Sequence, residues 1–404
     1  MDVKHSIAIV SDSWIGLEEL EQFSAIVDKY SITLFGSEAC LSYIKENLPL
    51  EEITMVSLPA YPGNQTFLPG LEEKLQGFTT VLLKGRSGIF AYQVVKAKRT
   101  FQFDLLVWED NARSFPGEGN RELQSIQKEV DQQADGYLVQ SRLVERALRR
   151  EGISKEQIHY IHPVVYRKVE RKHTFSFDVI FASFGIAPSD WVVYFLGKMG
   201  WQSQSQDLIE AVQLLHTEAT SNGKRIKVVF SGSNFPPEIL RAVSLRKLDE
   251  SILFVQPSLE THEALLSRCQ AIFTSASVSQ HRVEGNPFPF LLAMKNGIPV
   301  ISSRSPLVEE TVGKHRIDYC NGSSDSLARA IKKCIEAKGI LQDIARKNQD
   351  KGFSREKASE DLIRLIEEKR VKPEKRHHAP SVATEAWIQP EPYETELFKK
   401  EARK

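Results

Sequence analysis

At 404 residues the chain is longer than one ordinary hydrophobic core requires and suits two domains. Lysine and arginine total 53, and aspartate and glutamate also total 53, so the bulk charge argues against nucleic acid or an anionic surface as the main partner. The hydrophobic fraction of 41% is that of a globular protein. Four scattered cysteines without C-x-x-C spacing fit a reducing compartment and no structural zinc. The opening MDVKHSIAIV has no signal-peptide core, and no apolar run approaches the ~20 residues of a spanning helix, so a cytoplasmic location is expected.

In chain order, the first strand signals are SIAIV, SITLFG, ITMVSL, TTVLLKG, FDLLVW, DGYLVQS and IHYIHPVV. Helical spacing predicts helices over Glu18 to Tyr30 and Arg142 to Glu151 between them. After the charged stretch YRKVERK, a second series follows: WVVYFLG, IKVVFSG, ILFVQ, AIFTSAS, IPVISS and RIDYC. Its helices are predicted over Asp207 to Glu218, Pro237 to Lys247, Thr261 to Arg268 and Ser324 to Ala337. Strand-helix alternation of this kind implies parallel sheets flanked by helices. The expectation is α/β architecture with two Rossmann-like, doubly wound domains facing a central cleft. Residues 1–170 form the first domain and 177–351 the second. A helix over 352–370 packs back on the first domain, and 371–404 is a mobile tail rich in proline and mixed charge. The basic KRVKPEKRHH cluster at the start of that tail reads as a solvated charge run, or as a weak contact for a membrane surface or a polyphosphate.

Ligands of open parallel sheets bind beyond the carboxyl ends of the strands, so the strand-to-helix loops matter most. One such loop reads EGNPFPFLLAMKNGIPV, from Glu284 to Val300. Asn286 is suited to cap a helix whose first position is Pro287. Phe288, Leu291 and Leu292 share one face, and Phe290, Ala293 and Met294 leave little polar surface, so that helix is buried. Asn296-Gly297 is a left-handed stop, and Ile298-Pro299-Val300-Ile301 opens the next buried strand. A carboxylate and a small-residue turn therefore stand at a helix N-terminus, where the macrodipole favours an anion.

Glu284-Gly285, Ala293-Met294 and Gly297-Ile-Pro-Val300 resemble, at matching spacing, the turn, helix and strand of the retaining GT-B glycosyltransferases typified by sucrose-phosphate and mannosyl transferases. Phe-Leu-Gly-Lys-Met at 195–199 with Glu210-Ala211, and Ile-Leu-Phe-Val-Gln at 252–256, are similar to the same family's phosphate-side and base-side elements. The resemblance implies transfer of a sugar from a nucleotide-sugar donor with retention at the anomeric carbon. It implies no metal and no cofactor beyond the nucleotide sugar as co-substrate.

Carried over by position, the resemblance gives Glu284 the catalytic role of orienting the sugar. Lys198 and the Gly285 and Asn286 amides meet the diphosphate, and Val255 and Gln256 lie near the base. Gly16, in the loop SDSWIG after the first strand, is what remains of the family's Gly pair facing the phosphates. Three positions depart from the family pattern: Leu292 stands where a second Glu grips the ribose, Lys198 replaces an Arg, and Ser203 replaces a Lys. Arg282, with His281 and Arg304, offers compensating charge. Glu310 fits a family Glu or a plain carboxylate at a helix start. The loop KGRSG (84–88) could bind an anion or an acceptor and WEDNAR (108–113) lines the expected cleft, or both are ordinary polar turns. A glycan, lipid or protein acceptor is expected, and no nucleic acid. The alternative reading is a catalytically impaired GT-B protein serving as a binding or chaperone subunit of a partner glycosyltransferase.

Overall fold

The computed structural model describes residues 5–11, 22–47, 52–59, 67–112, 121–164, 177–196, 205–218, 225–231, 235–256, 259–274, 283–284, 287–313, 316–336 and 355–371. Residues 1–365 form one compact unit holding both sheets, and 366–404 form a second, whose described residues are helical.

Seven strands make the first sheet: β1 (His5–Val10), β2 (Tyr30–Ser37), β3 (Ile53–Leu58), β4 (Thr80–Lys84), β5 (Asp104–Trp108), β7 (Gly136–Val139) and β8 (Ile158–Tyr160). They run parallel in the order β3-β2-β1-β4-β5-β7-β8. The second sheet is built from β9 (Trp191–Phe195), β10 (Ile226–Ser231), β11 (Ile252–Val255), β12 (Ala271–Phe273), β14 (Val300–Ser303) and β15 (Arg316–Tyr319). These are also parallel, in the order β11-β10-β9-β12-β14-β15. Every strand signal of the sequence overlaps one of them. Parallel strands are covered on both faces and so appear as continuous apolar runs. The pattern burial of β7 (GYLV) and β12 (AIF) is complete.

Each sheet reverses its strand order once, between β1 and β4 and between β9 and β12. Successive loops diverge at such a point and open a crevice at the carboxyl ends of the strands. The segments leaving β9 and β12 are those that contain Lys198, Ser203 and Arg282.

Most predicted helices form close to their expected bounds, including Arg142–Arg150, Ser205–Glu218, Pro237–Leu245, Leu259–Arg268 and Ser324–Glu336. The predicted Glu18 to Tyr30 helix differs. Within its described part only Gln22–Ser24 are helical, tighter turns follow, and Tyr30 already belongs to β2. The amide of Ile26 bonds back three residues to the Phe23 carbonyl, a 3₁₀-type closure that ends the helix early.

The helix Arg355–Val371 is anchored by long-range bonds from its first half. Arg355 donates to the Ser24 carbonyl at 2.8 Å, Ser359 to the Ala25 carbonyl at 3.1 Å, and Asp361 accepts the His162 amide at 3.2 Å. The predicted tail beyond it lies outside the described residues.

Candidate functional site

The Phe288–Lys295 helix is nearly apolar all round, and Phe290, Leu291, Leu292, Ala293 and Met294 are buried. They join Tyr194, Val229, Val255, Leu265 and Ile272 in the core on one face of the second sheet. Its end has the expected left-handed form. Gly297 sits at φ 63°, its amide bonds to the Met294 carbonyl, and Ile298 bonds back to Ala293, which is a Schellman closure.

Its start differs by one residue from the sequence expectation. Pro287 occupies the cap position in αR geometry and the helix begins at Phe288. Pro287 and Pro289 carry no N–H, and Phe290 and Leu291 both donate to the Pro287 carbonyl. The first turn of the helix therefore lacks two of the N–H groups with which a helix end meets an anion.

Just upstream, Val283–Glu284 form β13, a two-residue strand antiparallel to β6 (Asn111–Ala112). Glu284 stands opposite Asn111, and Val283 opposite Ala112. Sequence reading placed WEDNAR at the cleft. The structure joins that loop by backbone to the very turn that carries Glu284. Nothing in either segment's side-chain pattern signals this ribbon, because two-residue strands have no periodicity to read.

Other candidate residues are placed as follows. Leu292 is 2% exposed within the apolar core. Val255 is buried in the same core, so only its backbone is available to a base, whereas Gln256 is exposed just past the end of β11. Gly16, Lys198, Ser203, Arg282, Gly285 and Asn286 lie outside the described residues. Arg304 is solvent-facing and pairs with Asp318 at 3.1 Å. Glu310 accepts the backbone N–H of Arg142, from the first sheet's side, at 2.8 and 3.1 Å. Tyr160 stands nearby with its hydroxyl pKa raised, by burial first and then by the Glu310 charge.

The KGRSG loop is not an open anion site at Arg86. That side chain is 5% exposed and bonds Glu109 at 3.2 Å, Asp131 at 2.9 Å, and Glu151. Tyr137 also donates to Asp131 at 2.5 Å. Desolvation works against the Arg86 charge, but attraction to the three carboxylates outweighs it and raises the pKa. Arg86 locks the loops after β4 and β5 to the helices below them, which fixes the base of the Asn111 strand. No local signal could reveal this, since the partners lie 23, 45 and 65 residues away.

His262 is partly buried and shares a 2.8 Å hydrogen bond with the Tyr194 hydroxyl. Burial lowers its pKa to about 4, so it is neutral at physiological pH. Among the described residues no three His, Cys, Asp or Glu side chains cluster as metal ligands would, and no helix is long and apolar enough to cross a membrane.

Residues 190–337 match the family model described as glycosyl transferases group 1. The fold is GT-B. The Anabaena protein HepE, solved in complex with UDP and glucose, superposes with a TM-score of 0.72 at 15% identity, over 90% of this chain and 100% of HepE. Sucrose-phosphate synthase from Thermosynechococcus elongatus gives 0.66 at 17% identity, over 91% of this chain and 99% of the synthase. A putative UDP-N-acetylglucosamine 2-epimerase from Listeria monocytogenes gives 0.61 at 12%, over 91% and 97%. No curated protein matches the chain in sequence.

Proposed function

Starting from a GT-B chain whose residues 190–337 match the glycosyl transferases group 1, we propose that this protein moves a sugar from a nucleotide-sugar donor to an acceptor hydroxyl with retention of configuration. The observation that carries the reading is the β6–β13 ribbon, which holds the Glu284 turn against the loop at the end of β5. Epimerases share the fold, so the fold alone does not choose; the group 1 match favours transfer.

In this reading Glu284 accepts a hydrogen bond from a sugar hydroxyl and sets the anomeric carbon. The bond from that carbon to the diphosphate oxygen breaks, and the acceptor oxygen bonds to the same face. The acceptor proton passes to the departing phosphate, so no separate base is needed. Lys198, Arg282 and the Gly285 and Asn286 amides neutralise the leaving group, which is why the proposed chemistry uses no metal. Val255 and Gln256 border the base.

Titration calorimetry with UDP-glucose, GDP-mannose, UDP and GDP tests the donor. Binding of one of them, with turnover reduced about tenfold to a hundredfold in Glu284→Gln, is the expected result. Undiminished turnover in that variant, or silence toward every nucleotide, would sink it.

One observation favours a second reading, a binding or chaperone subunit of a partner transferase. Leu292 is sealed in the core, so the ribose contact the family takes from a carboxylate has no polar group there. Co-purification of a transferase by a chain that binds no nucleotide would establish it.

A further inference from the structure

The Arg142–Arg150 helix carries RLVERALRR, opened by Ser141, whose side chain accepts the Val144 amide. Val144, Ala147 and Leu148 are buried against the first sheet, while Arg142, Arg146, Arg149 and Arg150 are exposed. Spaced i, i+4, i+7 and i+8, the four arginines fall within about 100° of the helix circumference and run about 12 Å along it. Glu145, half-buried at the flank, is the single acid of the helix. None of the four guanidinium groups forms an ion pair among the described residues; Arg146 bonds only the Arg142 carbonyl, at 3.2 Å.

The stripe starts at the candidate site. Its first residue is the one whose amide Glu310 accepts, and the helix packs beside β6, the strand paired with the Glu284 turn. Four unpaired forks aligned outward from a cleft are complementary to a chain of carboxylates or phosphates. A lipid surface fits less well. Interfacial helices present apolar side chains to the acyl region, and here the apolar residues are already spent on the protein's own core.

We propose that this arginine stripe binds an acidic glycan chain and guides it to the donor turn, so that the acceptor is an anionic polysaccharide or its oligomer. The inference rests on the transferase reading and adds the acceptor class to it.

The test uses the full chain and an oligogalacturonate long enough to span the helix, with a neutral dextran oligomer of equal length and phosphatidylglycerol vesicles alongside. Binding to the oligogalacturonate is expected to weaken with salt. Arg146→Ala with Arg149→Ala should reduce the slope of log affinity against log salt by about 1.5 and leave the thermal midpoint unchanged. Equal binding to neutral dextran, no binding to the oligogalacturonate, or an unaltered slope in the variant overturns the proposal. Preference for the vesicles overturns it too and reassigns the stripe to a lipid surface. A parallel UDP titration separates the two readings. Glycan binding without UDP binding leaves the stripe and removes the transferase, and UDP binding without glycan binding does the reverse.

Discussion

The backbone N–H of Arg142 donates to both carboxylate oxygens of Glu310, although the two residues are 168 positions apart. A helix packed on the first sheet is thus capped from the second. Together with the Glu284–Asn111 pairing, this gives the cleft two cross-connections of different kinds, one through a side chain and one through backbone alone.

Removing the first should be measurable. Glu310→Ala is expected to cost about 1 kcal/mol in urea denaturation, the usual loss when a helix start is uncapped. Glu310→Gln, which keeps an acceptor oxygen, should recover at least half of that.

Arg86 carries a heavier structural burden. Arg86→Met leaves the buried Glu109 and Glu151 side chains and the partly buried Asp131 together without their cation, and a loss of about 3–5 kcal/mol at neutral pH is expected. Urea denaturation of the variant and the native chain at neutral pH would reveal the deficit.

His262 predicts an acid limb in the stability of the native protein. Its folded pKa of about 4 lies below the ordinary 6.5, so the unfolded chain binds the extra proton. Stability is complete above the unfolded value and falls as pH drops from 6.5 toward 4, by roughly 3 kcal/mol in all. His262→Gln, which retains a partner for Tyr194 and does not titrate, should flatten that segment of the curve.

Leu292→Glu restores the family's carboxylate by sequence but inserts it into an apolar core. A lower melting midpoint, by several degrees or more, is expected without tighter UDP binding. Tighter UDP binding in a stably folded variant would show that Leu292 borders the nucleotide.

The fold was legible because its strands are buried on both faces and read as apolar, β-branched runs with helical spacing between them. The Phe288–Lys295 helix and its Gly297 stop were legible for the same reason, since capping chemistry is local. The site was legible only in outline. Glu284 could be singled out from its motif, but its neighbour Asn111 could not, because backbone pairing between two-residue strands leaves no trace in side-chain identity. The KGRSG loop read as a candidate anion site because the three carboxylate partners of Arg86 are distant in sequence. Glu310 read equally as a family residue or a plain helix carboxylate, and only the folded chain supplies the Arg142 amide.

The β6–β13 ribbon has an evolutionary corollary. A joint made of peptide groups is indifferent to which side chains hang from it. Substitution on either flank can drift, swapping charge for grease or fork for hydroxyl, while the two halves stay in register. A chain can in this way wander far from its relatives in chemistry and still present the same doorway.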